Sequence, residues 1–249
     1  MEGGRLLRNS QIIVLGICIA AATIASSVIL SQGFLKVMKF TREQISVTGS
    51  AQKEIKSDYV IWRGDFSRRE ANLKSAYAGL KADLEKVKCY LVSKGVKDGE
   101  INLSSVTTAT LYKKNEKGND TNDIQWYILS QSVEIKSFDV ARVTDVARES
   151  TDLIAQGVEF SSGAPEYFYT KLDELKIEML AKASENAKAR ADNMVRAAGN
   201  KIGFMRSAKM GVFQITPLNS TEVSDWGVND TSSLDKKVTA VVNVCFAIE

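Results

Sequence analysis

The sequence predicts an α+β protein, with antiparallel or mixed sheets carrying packed amphipathic helices, preceded by one N-terminal transmembrane helix. Three observations lead there. Residues 9–35 contain no charged side chain. Several stretches after residue 44 alternate apolar and polar residues, the period of a half-buried strand. Two long stretches, 70–95 and 171–198, instead repeat apolar residues at three- and four-residue steps, as helices on a sheet do.

The apolar segment comes first in the chain. Its centre, "IIVLGICIAAATIASSVIL" (residues 12–30), spans roughly 28 Å as a helix, close to the hydrocarbon thickness of a bilayer. Arg5 and Arg8 precede it, as expected of a cytoplasmic end, while Lys36, Lys39 and Arg42 follow it and weaken that polarity. The reading is a short cytoplasmic tail (1–10), a signal anchor (11–35) and an extracytoplasmic domain (44–249). A cleaved signal peptide stays open, since Ala25 and Ser27 are small residues suited to a cut. Against it, the apolar run continues through "VIL" beyond them.

Beyond the anchor, "QISVTGSAQKEI" (44–55) alternates Ile45, Val47, Gly49 and Ala51 with polar neighbours, and "YVIWRGDF" puts Val60, Trp62 and Phe66 on one face of a second strand. Residues 70–95 predict a helix with Leu73, Tyr77, Leu80, Leu84, Val87 and Leu91 inward and Gly95 as its cap. Cys89 falls opposite that stripe, as a half-exposed thiol or a subunit contact. Residues 101–114 and 125–137 predict a long hairpin around the turn "NEKGND", with Tyr127, Leu129, Val133 and Ile135 on one face.

Residues 138–157 predict a helix with Phe138, Val143, Val146 and Ile154 inward, followed by a strand broken near Gly163 and Pro165. The alanine-rich helix over 171–198 would bury Leu172, Leu175, Met179, Ala183, Ala187, Met194 and Val195, and Gly199 would cap it. A strand over 201–215 succeeds it, then a polar loop carrying Trp226, then a closing strand with Val238, Ala240, Val242, Val244, Phe246 and Ile248 on one face.

Composition excludes more chemistry than it offers. The 249 residues are 44% hydrophobic and 25% charged, with a net charge of +3. That balance suits a folded domain, and the interspersed signs disfavour nucleic acid as a partner. Histidine is absent, which removes Ser-His and Cys-His nucleophile pairs. Cys18, Cys89 and Cys245 form no Cys-x-x-Cys pair, so no metal or cofactor is expected. Asp65/Glu70, Asp98/Glu100 and Asp173/Glu174 are close in sequence but fall at turns and helix starts, where acids suit the helix dipole. Strand packing accounts for Tyr167-Phe168-Tyr169 and Trp126-Tyr127 more cheaply than a ligand pocket does. The interaction candidates are Trp226 and Cys89, and no catalytic residue is assigned.

"ISVTGSAQKEIKSDYVIWRGDFS", "LAKASENAKARADNMVRAAGNKIGFMRSAKM" and "KKVTAVVNVCFAIE" together resemble the SIMPL-domain family over residues 44–249. Ser57 stands where many members have proline, and Asp235-Lys236 where they have Gly-Glu; both read as turn substitutions. The resemblance implies an extracytoplasmic α+β domain, often of two subdomains, without established enzymatic activity. Some members form homo-oligomeric rings at envelopes, and some are linked to stress tolerance. The expectation is therefore a non-enzymatic, single-pass protein of a bacterial inner membrane, its domain in the periplasm. It would hold the lipid bilayer through its helix and assemble with its own copies. A secreted binding or chaperone-like module, or a carboxylate-type hydrolase, are the competing readings.

Overall fold

The computed structural model describes residues 3–249, with side chains described for 14–35, 38 and 43–249. The charged flanks Arg5, Arg8, Lys36, Lys39 and Arg42 lie outside the described side chains, and the first two residues of the expected tail lie outside the described chain. Helix α1, Gly3–Arg42, runs 40 residues, or about 60 Å at about 1.5 Å per residue. Within it Val14–Leu35, 22 residues, is apolar and long enough to cross a membrane, and none of it is buried. The Thr23 hydroxyl donates back to the Ala20 carbonyl at 2.9 Å, so that polar group is satisfied inside the helix.

Beyond α1 the chain is α+β, with antiparallel sheets, as the alternation predicts. It divides into two compact units. The larger comprises residues 51–179 and 212–240, the smaller residues 1–50, 180–211 and 241–249.

The larger unit holds a six-stranded antiparallel sheet built from β2 (Tyr59–Glu70), β3 (Ile101–Leu103), β4 (Thr107–Lys114), β5 (Asp120–Ser137), β6 (Glu159–Ser162) and β7 (Glu166–Phe168). Its order is β3-β5-β2-β6, with β4 on β5 and β7 on β2. Trp62 lies opposite Ile135 and Gly64 opposite Val133, so the alternating residues of β2 and β5 share one face. That face is buried under α2 (Leu73–Ser93), α3 (Val140–Glu149) and α4 (Asp152–Ala155). Val60, Trp62, Phe66, Leu129, Val133 and Ile135 are all buried there, as the alternation predicts.

The helices depart from the sequence expectation at their ends. In α2, Leu80, Val87 and Leu91 are buried, but Leu73 and Tyr77 are exposed and Ala76, Asp83 and Tyr90 are covered instead. The helix starts at the Asn72 cap, whose side chain accepts from the N–H groups of Lys74 and Ser75. It ends before Gly95, whose φ of 80° only glycine adopts freely. The single helix expected over 138–157 is two. The chain breaks at Ser150, whose hydroxyl bonds the Ala147 carbonyl at 2.8 Å. The break rotates the next turn, so Leu153 is buried and Ile154 exposed. Phe138 precedes the Asp139 cap of α3 and is likewise exposed, edge-on to Tyr59 at 5.0 Å.

β10 (Asp235–Ile248) lies between β1 (Gln44–Lys56) and β8 (Ile202–Met210), and the smaller unit takes residues 241–248 of β10, 44–50 of β1 and all of β8. Helix α5, Leu172–Ala197, buries Ala183, Ala187 and Ala191 fully and lays the first two against Gly49. A Cβ on Gly49 would stand 2.2 Å from the Ala183 carbonyl oxygen and 2.5 Å from the Ala187 nitrogen. Met194, expected inward, is exposed because it lies one residue off the Ala187–Ala191–Val195 row. The strand expected over 201–215 is also divided. β8 ends at Met210, and β9, Gln214–Pro217, pairs with β10 around Val238 in the larger unit.

Candidate interaction surface

The polar loop after β9 is long and poor in apolar residues, yet it is tied down by a small number of buried polar groups in the larger unit. The buried Gln214 carboxamide donates to the Ser224 carbonyl at 2.6 Å and accepts from the Val228 N–H at 2.9 Å. Ile215 and Asp230 exchange backbone bonds with this segment, through Ile215 N–H to Val228 at 2.7 Å and Asp230 N–H to Ile215 at 2.9 Å. Tyr167 N–H donates to Thr231 at 2.7 Å.

Lys236 completes the clamp. Its ammonium donates to the carbonyls of Tyr167 and Asp230, both at 2.6 Å. Sequence reading places Asp235 and Lys236 in a turn before the closing strand. Both instead belong to β10, and Lys236 occupies the buried row that continues through Val238 and Ala240. Burial pushes its pKa down, and the neighbouring Asp230 carboxylate opposes that only in part. Burial pushes Asp230 up, but bonds from the Ser232 and Ser233 hydroxyls and the Ser232 N–H outweigh it and hold the carboxyl low.

At the tip of this fixed loop Trp226 is 94% exposed and Val223 77% exposed. The Trp226 N–H donates to the Ser224 hydroxyl at 3.3 Å, while the indole projects into solvent. Glu222 and Asp225 flank the pair, and no Lys or Arg occurs from residue 210 to 235. A large apolar side chain held out by a preformed loop is an anchor geometry for a partner surface.

Elsewhere on the same unit is an unfilled groove of about 750 Å³. Leu73, Lys74 and Tyr77 of α2, Val106 from the link between β3 and β4, and Tyr127 and Leu129 of β5 line it. The two α2 residues that periodicity assigns to the core are its exposed wall. The helix N-terminus here has the neutral Asn72 cap and no acidic residue in its first turn, which leaves the positive end of the dipole uncompensated locally. Glu70, nearby in sequence, is engaged by Arg68 at 3.3 Å.

Cys89 is an exposed free thiol on α2, more open than the half-exposed position expected, and Cys18 and Cys245 are free as well. The acidic pairs do not converge. Asp65 accepts from the Ser132 hydroxyl at 2.5 Å, Glu100 pairs with Arg142 at 3.0 Å, and Asp173 and Glu174 lie in the first turn of α5. Burial raises the Glu100 carboxyl, but the Ser137 hydroxyl, the Lys97 N–H and the Arg142 guanidinium together hold it below its ordinary value. Tyr167 is buried in the core with its hydroxyl 3.1 Å from that of Thr144, whereas Tyr127 lines the groove. Among the described residues no group of three or more His, Cys, Asp or Glu is placed to hold a metal ion.

A family model described as SIMPL, protein of unknown function (DUF541), matches residues 45–246. No curated protein matches the chain.

Proposed function

The chain belongs to the SIMPL family, and on that premise we propose that it is a membrane-anchored interaction protein, not an enzyme, that assembles with copies of itself. Its α1 helix is the single-pass anchor, residues 11–35 span a bacterial inner membrane, and residues 44–249 act outside the cytoplasm, with a role in envelope stress tolerance. The observation that carries this reading is the apolar span Val14–Leu35, which no part of the domain covers. In water such a surface is costly, and a bilayer removes that cost. Only Glu43 separates α1 from β1, so the anchor holds the domain at the membrane surface. The exposed Trp226 and the exposed thiol of Cys89 are the side chains offered for contacts between copies.

The test is extraction of the full-length chain. Retention in membranes after carbonate washing, an intact N-terminus by sequencing, and a multimeric mass in mild detergent are the expected results. A mature chain starting near residue 26–36 would replace the anchor with a secreted module. A monomeric mass would remove self-assembly.

A further inference from the structure

The loop tip presents an exposed indole beside acidic residues, the groove presents apolar side chains beside a lysine, and both belong to one chain. We infer that Trp226 of one copy seats in the groove between α2 and β5 of a second copy, an inference that rests on the self-assembly reading above. At 94% exposure the indole does not fill the groove of its own chain. The Gln214 and Lys236 clamps fix the tip, so seating it elsewhere loses little conformational freedom. The groove, at about 750 Å³, has room for the indole and for Val223 beside it. Tyr77 and Leu73, 56% and 45% exposed, would be covered in the contact.

Charge fixes the direction. Glu222 and Asp225 flank the indole, while Lys74 and the acid-free N-terminus of α2 border the groove. Glu70 beside the groove is paired with Arg68, so Lys74 is the charge the rim offers to the acids of the tip, which favours this docking over a like-charged one. The same acids oppose insertion of the tip among anionic headgroups. Because tip and groove are different surfaces, the contact is head-to-tail. An open chain of such contacts keeps one free tip at one end and one free groove at the other.

The full-length protein in mild detergent tests this by its mass as a function of concentration. Trp226→Ala, an exposed site whose loss leaves folding intact, is expected to weaken association about 30-fold, the scale of one interface hot spot. Asp225→Lys and Lys74→Glu are each expected to weaken it, and the two together to restore assembly towards wild type. Unchanged assembly of Trp226→Ala overturns this contact and leaves the self-assembly reading standing. A double charge reversal no better than the single ones also overturns the contact. A monomeric wild type overturns both. With the full-length protein in phosphatidylglycerol vesicles, indole fluorescence that brominated acyl chains quench in the wild type and not in Trp226→Ala, with the mass unchanged, assigns the tip to the bilayer and overturns the contact.

Discussion

Residues 51–179 and 212–240 fill their interior with large side chains, whereas the smaller unit, beside its buried Val47, Val195, Val242, Val244 and Phe246, carries a seam where a row of alanines meets a glycine. In the first, Trp62 is fully buried with its ring 6.1 Å from that of Phe160, and the indole N–H donates to Ser162 and Gly163 at 3.1 Å each. In the second, Ala183 and Ala187 bring the α5 backbone to within contact of Gly49. Both units remove apolar area from water, and the smaller one adds a seam at Gly49 where two backbones approach closely. The large core is therefore most sensitive to removal of a side chain, and the Gly49 seam to an added methyl group.

Removing the anchor of the large core has the largest expected effect. Trp62→Ala leaves a cavity in the core, and should cost about 3–5 kcal/mol of unfolding free energy in urea. A loss below about 1 kcal/mol would break the contrast. Gly49→Ala is the converse, a single added methyl that meets backbone atoms at 2.2 and 2.5 Å. Its expected cost is about 1–3 kcal/mol, the range for overpacking, with faster amide exchange in α5 from Ala183 onward. A neutral Gly49→Ala would show that the alanine seam is not close-packed.

Lys236→Met sharpens the comparison inside the larger unit, because it separates the core from the loop clamped onto it. It strips donors from the carbonyls of Tyr167 and Asp230 and should cost about 1–2 kcal/mol. Proteolysis should rise within residues 218–234 while amides around Trp62 stay protected. Cleavage rates equal to wild type would show that Lys236 does not hold the loop.

The smallest effect is the response to acid. Bonds from Lys136 chiefly, and then from Arg63, hold Glu134 below its ordinary value of 4.5, against the opposing pull of burial. Lys94 does the same for Glu149. A carboxyl with a depressed folded pKa contributes above its unfolded value and loses that contribution as the pH falls through the folded one. Urea midpoints should thus fall as the pH drops below 4.5. Glu134→Gln should flatten that decline, and an unchanged slope would remove Glu134 from its causes.

The groove shows where sequence reading stops. Leu73 and Tyr77 sit on the same helical stripe as Leu80, Val87 and Leu91, and periodicity gives them one label. The covered stripe is instead turned towards Ala76, Asp83 and Tyr90, so Leu73 and Tyr77 lie on its open edge even though Ala76, in the same turn, is buried. Met194 and Ile154 differ from expectation for a related reason. A residue one step off a narrow seam, or one step past a helix break, looks equally apolar in a periodic pattern. Lys236 had a signal in reach, since the alternation from Val238 to Phe246 extends back onto it, but a lysine on a buried row is read as the end of a strand. Trp226 was legible as a candidate from its polar surroundings, while the Gln214 clamp that fixes it was not.

By itself the sequence determined the membrane-length apolar helix, the α+β class, the buried faces of β2, β5 and β10, and the exclusion of histidine chemistry. Local period and composition suffice for these, because each depends on residues within a few positions of one another. Only the tertiary structure decided which edge of the α2 stripe is covered, that α5 approaches the backbone of Gly49 closely, and that a buried lysine clamps the loop holding Trp226 in solvent. Those outcomes depend on pairs such as Lys236 with Tyr167 and Gly49 with Ala187, which are far apart in the chain and meet only when the sheets form.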